Sequence, residues 1–160
     1  MTTRLPHKEI AGITAGVILH EITIHELITY CQDDRRNTEL LAVEVRELWG
    51  TFGADIDPRL LADIFFGALD CDYSASSATD IYAAYICDRL AAGHIAPIDA
   101  AESIWHSIVE LGSVSDEIVP FVGFASEWQD DVEHREAYAE DIRRHALQVG
   151  SALWRKYGYA

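Results

Sequence analysis

The chain predicts an all-α fold, a bundle of about six or seven helices with short connections. Three observations carry that expectation. Apolar residues recur three and four apart through almost every segment, which is the period of a helix that buries one face. Gly and Pro also punctuate these stripes at Gly53, Pro58, Gly93, Pro97 and Gly112. No pair of alternating apolar and polar runs reads as two strands, and helix packed on helix is then the natural way to close a core.

In order along the chain, Ile10, Ile13, Val17, Ile24, Leu27 and Cys31 mark the stripe of a long first segment. The β-branched cluster Ile22-Thr23-Ile24 makes a break or a short strand there an open alternative. Gln32 to Thr38 is polar and reads as a loop. Leu41, Val45, Leu48, Trp49 and Phe52 form the second stripe, and Gly53 is placed to stop it. Asp57-Pro58 is a start signal, with Asp as N-cap and Pro at the first helical position. Leu61, Ile64, Phe65 and Leu69 follow. Asp70 to Thr79 reads as the longest loop. Ile81, Tyr85, Ile86 and Leu90 make a fourth stripe closed by Gly93, and Ala101, Ile104, Trp105, Ile108 and Leu111 a fifth between Pro97 and Gly112. Ser115 is placed to cap a sixth, through Phe121, Phe124, Ala125 and Trp128. Asp130 and Glu133 have the spacing of a capping box. They open a last helix through Tyr138, Ile142, Ala146, Val149 and Leu153.

The charge is unevenly placed. The 160 residues carry 27 acids, 12 Lys and Arg, and a net charge of −15. Between Asn37 and Trp128, 16 acids face only Arg46, Arg59 and Arg89. Residues 1–160 therefore read as a single helical domain with an acidic block at 37–128. A more charge-balanced C-terminal helix follows at about 131–157. The apolar fraction is 49%, with four Trp, seven Tyr and five Phe, so the acids sit on a folded scaffold and not on a disordered tail. Such a field repels nucleic acid and anionic membranes and draws basic surfaces. Direct nucleic-acid binding and membrane association are thereby disfavoured. Cys31, Cys71 and Cys87 are odd in number, widely spaced and free of any CxxC, which fits reduced thiols and a cytoplasmic protein. The apolar run Ile10 to Leu19 follows Arg4 and Lys8. Glu9 interrupts that basic region and His20-Glu21 ends the run, so it reads as a core helix and not as a signal. It is also too short to span a bilayer.

Several motifs resemble sites without completing one. His20-Glu21-Ile22-Thr23-Ile24-His25 has its histidines five apart, where a zinc helix needs four. On one helix two such rings diverge by roughly 140°, while Glu21 and His25 would share a face. Asp70-Cys71-Asp72-Tyr73-Ser74 begins like a calcium loop. Its sixth position is Ala75 and its twelfth Ile81, so the required Gly and bidentate Glu are missing. Asp130, Asp131, Glu133 and His134 cluster, but capping accounts for the acids. There is no nucleophile elbow, P-loop or dinucleotide fingerprint. Nothing pairs Cys31 or Cys87 with a histidine. The sequence assigns no catalytic residue, no metal site and no cofactor.

What remains is a surface for protein. Tyr73 sits among Asp and Ser, the composition of an aromatic anchor inside a steering rim. Tyr82 and Tyr85 are three apart and read as core. The expected partner-binding set is Asp70, Asp72, Tyr73, Asp80, Asp63, Glu44 and Glu47. An acidic, helical, motif-free chain has the physical profile of a stoichiometric inhibitor that neutralises a basic partner, in the manner of immunity proteins and antitoxins. That partner would be a toxin or a nucleic-acid-binding enzyme. Two other readings stand beside it. One is a helical-bundle enzyme with a scattered Asp/Glu/His site, although no Glu-x-x-His pair occurs. The other is a nucleic-acid mimic. Arg143, Arg144, Arg155 and Lys156 suit the dipole of the last helix. They also leave open a homodimer through the acidic block.

Overall fold

The computed structural model describes residues 5–33, 39–70, 75–108 and 114–159. Among the described residues there are eight α-helices, two short 3-10 turns and no strand, so the all-α expectation holds and its count is low. The helices are α1 (Lys8–Ile18), α2 (Ile24–Cys31), α3 (Leu40–Phe52), α4 (Pro58–Leu69), α5 (Ala75–Ala91), α6 (Pro97–Ile108), α7 (Val119–Asp130) and α8 (Arg135–Arg155). The 3-10 turns are Gly53–Asp55 and Val132–His134.

The first expected segment is two helices. α1 ends in a Schellman turn, in which Glu21 N donates to Gly16 O at 2.8 Å and His20 N to Val17 O at 3.1 Å. His20 takes the left-handed position of that turn, with φ at 62°. Thr23 then caps α2, its hydroxyl accepting from Glu26 N at 3.2 Å. Thr23-x-x-Glu26 is the spacing of a capping box, the local signal for the break. Neither His20 nor Glu21 is therefore on a helix, and the shared Glu21–His25 face does not form.

Other punctuation falls as read. Gly53 ends α3. Asp57 caps α4 by accepting from Arg59 N at 2.9 Å, and Pro58 takes its first position. Gly93 ends α5 with a second Schellman turn, His94 N donating to Arg89 O at 2.9 Å. Three details differ. Residues 75–79 are the first turn of α5 and not loop. Ser115 does not cap α7, since its carbonyl accepts Ile118 N in a turn before that helix. The Asp130–Glu133 box does not form either, because Asp130 is still the last residue of α7. Asp131, the next residue, bonds to side chains and caps no backbone N–H. Its carboxylate takes His134 Nδ1 at 2.8 Å and the Tyr138 hydroxyl at 2.9 Å.

α5 is the centre of the molecule. α1 packs on one flank and α8 on another, with α6 also against it. Residues Ser77 to Cys87 are all buried, which only a helix surrounded by others can achieve. The approach is close because the neighbours are small. A Cβ placed on Gly12 of α1 would lie 2.2 Å from the Tyr85 side chain. One placed on Gly150 of α8 would lie 3.1 Å from Cys87 Cβ. α7 fills the angle between α6 and α8, while α2, α3 and α4 hang from α1 as an outer layer. One continuous core runs through these helices, with Trp154, Phe65 and Phe121 its largest sealed side chains. Tyr159 closes the ends together, donating to Pro6 O at 2.6 Å. No described helix is long and apolar enough to cross a membrane.

Candidate partner-binding surface

Four residues of the expected binding set come together on the α3–α4 hairpin. On α3, Leu41, Ala42 and Val45 turn inward. Positions 40, 44, 47 and 51 then share the opposite face. That stripe is Leu40, Glu44, Glu47 and Thr51, with Glu44 half-buried and the others exposed. On α4, Leu61, Ala62, Phe65, Phe66 and Leu69 are buried, leaving Leu60, Asp63 and Gly67 on the outer face. Asp70 ends that helix, exposed and in the left-handed region at φ 51°. Asp55 and Asp57 are exposed in the connection.

Among the described residues, Glu44, Glu47, Asp55, Asp63 and Asp70 make no ion pair. The last helix behaves differently. Arg143 pairs with Glu140, Arg144 with Asp141 at 3.2 Å, and Lys156 with Glu117 at 3.1 Å. Charge is neutralised locally around α8 and left unbalanced on the hairpin. The hairpin also exposes large apolar side chains beside these acids. Leu40 is 61% exposed, Phe52 45% and Leu60 39%. Phe52 was expected in the core. It is the last residue of α3. Leu40 and Leu60 fall off their helices' apolar stripes, and that misplacement was a readable signal of exposure.

Asp80 does not belong to this surface. It is 3% exposed on the buried helix α5. Its Oδ2 accepts the Tyr157 hydroxyl at 2.8 Å and lies 3.6 Å from Lys156 Nζ. It is an internal acceptor that ties α8 to α5. The basic end of α8 is thus partly consumed within the fold. Asp72 and Tyr73 lie outside the described residues, as does Cys71. Tyr82 and Tyr85 are buried, as read. Burial pushes the Tyr82 hydroxyl up to about 12.

Two adjoining hollows of 350 and 480 Å³ lie where the hairpin meets the turn between α1 and α2, and both are lined by His20 and Pro58. The first is walled by Val17, Ile22, Ile24, Ile56 and Leu61. The second opens toward Arg59 and Asp63. Burial raises the Glu21 carboxyl above its ordinary range, with His106 pulling the other way. The two described thiols offer no nucleophile at neutral pH. Burial pushes Cys31 up to about 11 and Cys87 up to about 12, so both stay protonated. Among the described residues no three His, Cys, Asp or Glu side chains gather closely enough to hold a metal.

Comparison with protein-family models, with curated proteins and with solved structures finds no significant match.

Proposed function

We propose that this chain is a protein-binding module whose α3–α4 hairpin docks onto a basic partner protein and neutralises it by charge and by steric cover. The observation that carries this reading is the coincidence of unpaired acids and exposed apolar anchors on one hairpin. Glu47, Asp55 and Asp63 supply the field, while Phe52, Leu60 and Leu40 supply area to desolvate. Apolar anchors within a charged rim are the anatomy of a steered interface. The partner's Lys and Arg, which would otherwise hold an anionic substrate, pair with the hairpin carboxylates. Action in the cytoplasm fits the free Cys31 and Cys87 thiols.

The experiment is a pull-down from native lysate at low and at several-fold higher salt, run beside a Glu47→Lys/Asp63→Lys variant. A basic protein retained at low salt, weakened by salt and lost from the variant supports the proposal. Retention indifferent to both salt and charge reversal overturns it. Competition of the captured partner with DNA then decides whether the acids act in place of phosphates.

A further inference from the structure

We propose that the hollow between the start of α1 and the end of α5 binds a small monocarboxylate, with the Arg89 guanidinium as its main holder and Lys8 and His94 beside it. The hollow measures 330 Å³ and is lined by Lys8, Glu9, Tyr85, Asp88, Arg89 and His94. It lies at the opposite end of α1 from His20, about 16 Å away along an 11-residue helix, so it is separate from the hairpin surface.

Arg89 carries the argument. Arg143 and Arg144 each hold a carboxylate, Arg59 and Arg155 are exposed to solvent, and Arg135 donates to Trp128 O at 3.0 Å. Among the described residues Arg89 pairs with no carboxylate. Its Nη1 donates to the Tyr85 hydroxyl at 3.2 Å, and its head lies 5.8 Å from that ring. Its Nε is sealed from solvent without an acceptor. A guanidinium has five donors in a fixed fork suited to a carboxylate, and most of this fork is unused. Lys8 sits 5.5 Å over the Trp154 ring, and its charge acts on the Asp88 carboxylate. The hollow thus holds two cations and two carboxylates, and among the described residues the Arg89 fork makes no ion pair with either.

The backbone fixes His94 beside them. Gly93, at φ 76°, turns the chain so that His94 N bonds back to Arg89 O, which holds both residues at the same helix end. Asp88 is already engaged, accepting from Trp154 Nε1 at 2.9 Å. The acidic walls Asp88 and Glu9 select against a dianion, because a second negative charge would meet like charge on both sides. A single carboxylate on a compact or aromatic body fits the Arg89 fork, the Tyr85 wall and the volume.

The test is an NMR titration of the whole chain with sodium benzoate, and with inorganic phosphate at matched ionic strength. It follows the Arg89 Nε–H and Trp154 Nε1–H signals. A saturable benzoate shift is expected, with affinity falling by about tenfold or more in Arg89→Gln. Asp63→Lys, on the hairpin, should leave that affinity unchanged. No saturable shift in the unmodified chain overturns the proposal, as does phosphate binding as tightly as benzoate. Unchanged affinity in a folded Arg89→Gln chain also overturns it. Should that variant not fold, Arg89→Lys keeps the charge and removes the fork. Loss of affinity there supports the assignment, and retention overturns it.

Discussion

His20 occupies the position of the α1 Schellman turn that glycine fills most readily, and its backbone carries the cost. A side chain in the left-handed region costs roughly 1–2 kcal/mol, against a smaller entropic loss when glycine replaces it. His20→Gly should therefore raise stability by up to about 1 kcal/mol, while His20→Ala should not. Chemical denaturation of the three chains checks this. Glu21, the next residue, makes a pH prediction. Burial raises its carboxyl in the folded state from the ordinary 4.5, so the folded chain resists its ionisation more than the unfolded chain does. Stability linked to this group is full below that ordinary value and is lost as pH rises through the raised one. Glu21→Gln should then increase the melting temperature at pH 7, and the gain should vanish near pH 4, where both chains are uncharged at this position. A gain that persists at low pH would mean packing, not charge, is responsible. At this scale the sequence was legible wherever a residue's role is local. Asp57-Pro58 and Gly93 could be read because a cap needs only its neighbours. Asp80 could not, because what makes it internal is Tyr157, 77 positions away.

The helices meet at glycines. Gly12 of α1 lies where α5 presents Tyr85, and an added methyl would sit 2.2 Å from Tyr85 Cβ and Cγ. Those atoms are close to the backbone and cannot swing aside. Ala gains about 1 kcal/mol in helix propensity over Gly, but forcing two packed helices apart costs typically 1–3 kcal/mol or more. Gly12→Ala should be destabilising by about 2 kcal/mol, because a 2.2 Å carbon–carbon separation lies at the severe end of that range. Gly67 of α4 is the contrast. It is exposed with open space around it, so Gly67→Ala should stabilise by about 0.5–1 kcal/mol. Equilibrium urea unfolding of both variants decides the matter. If both shift the same way, the α1–α5 approach is not as tight as the geometry requires. Helix faces were largely readable, since Leu41, Val45, Leu61, Phe65, Ile142 and Leu153 are buried as their spacing demands. What periodicity could not reveal was α5 buried on every side. Its Ala78, Ala83 and Ala84 look neutral in a hydropathy stripe, and their burial depends on which helices surround them.

Across the whole molecule, the excess of acid is sorted and not merely large. Pairs around α8 cancel charge within a few ångströms, and among the described residues Glu44, Glu47, Asp55, Asp63 and Asp70 of the α3–α4 hairpin make no ion pair. The sequence located the acidic block, because counting charges along a chain needs no fold. The Arg143 and Arg144 pairs lie three residues apart on one helix and are readable from spacing, whereas Lys156 reaching Glu117, 39 positions away, is tertiary information. An unpaired set of like charges on a thin outer layer repels itself, and α3 and α4 are attached to the body mainly through α1 and α2. Raising ionic strength shortens the reach of that repulsion, to about 10 Å at 0.1 M. The protein should therefore melt at a higher temperature as salt rises from the millimolar range to about 0.15 M, the reverse of a fold held by surface ion pairs. Asp63→Lys should raise the melting temperature at low salt and flatten the salt dependence, because it relieves the same repulsion by chemistry. Glu140→Lys, which breaks a made pair with Arg143, should do neither. Calorimetry of the three chains across that salt range separates the cases. A melting temperature indifferent to salt would show that the hairpin field is too weak to strain the fold. By the same physics, it would be too weak to steer a basic partner toward it.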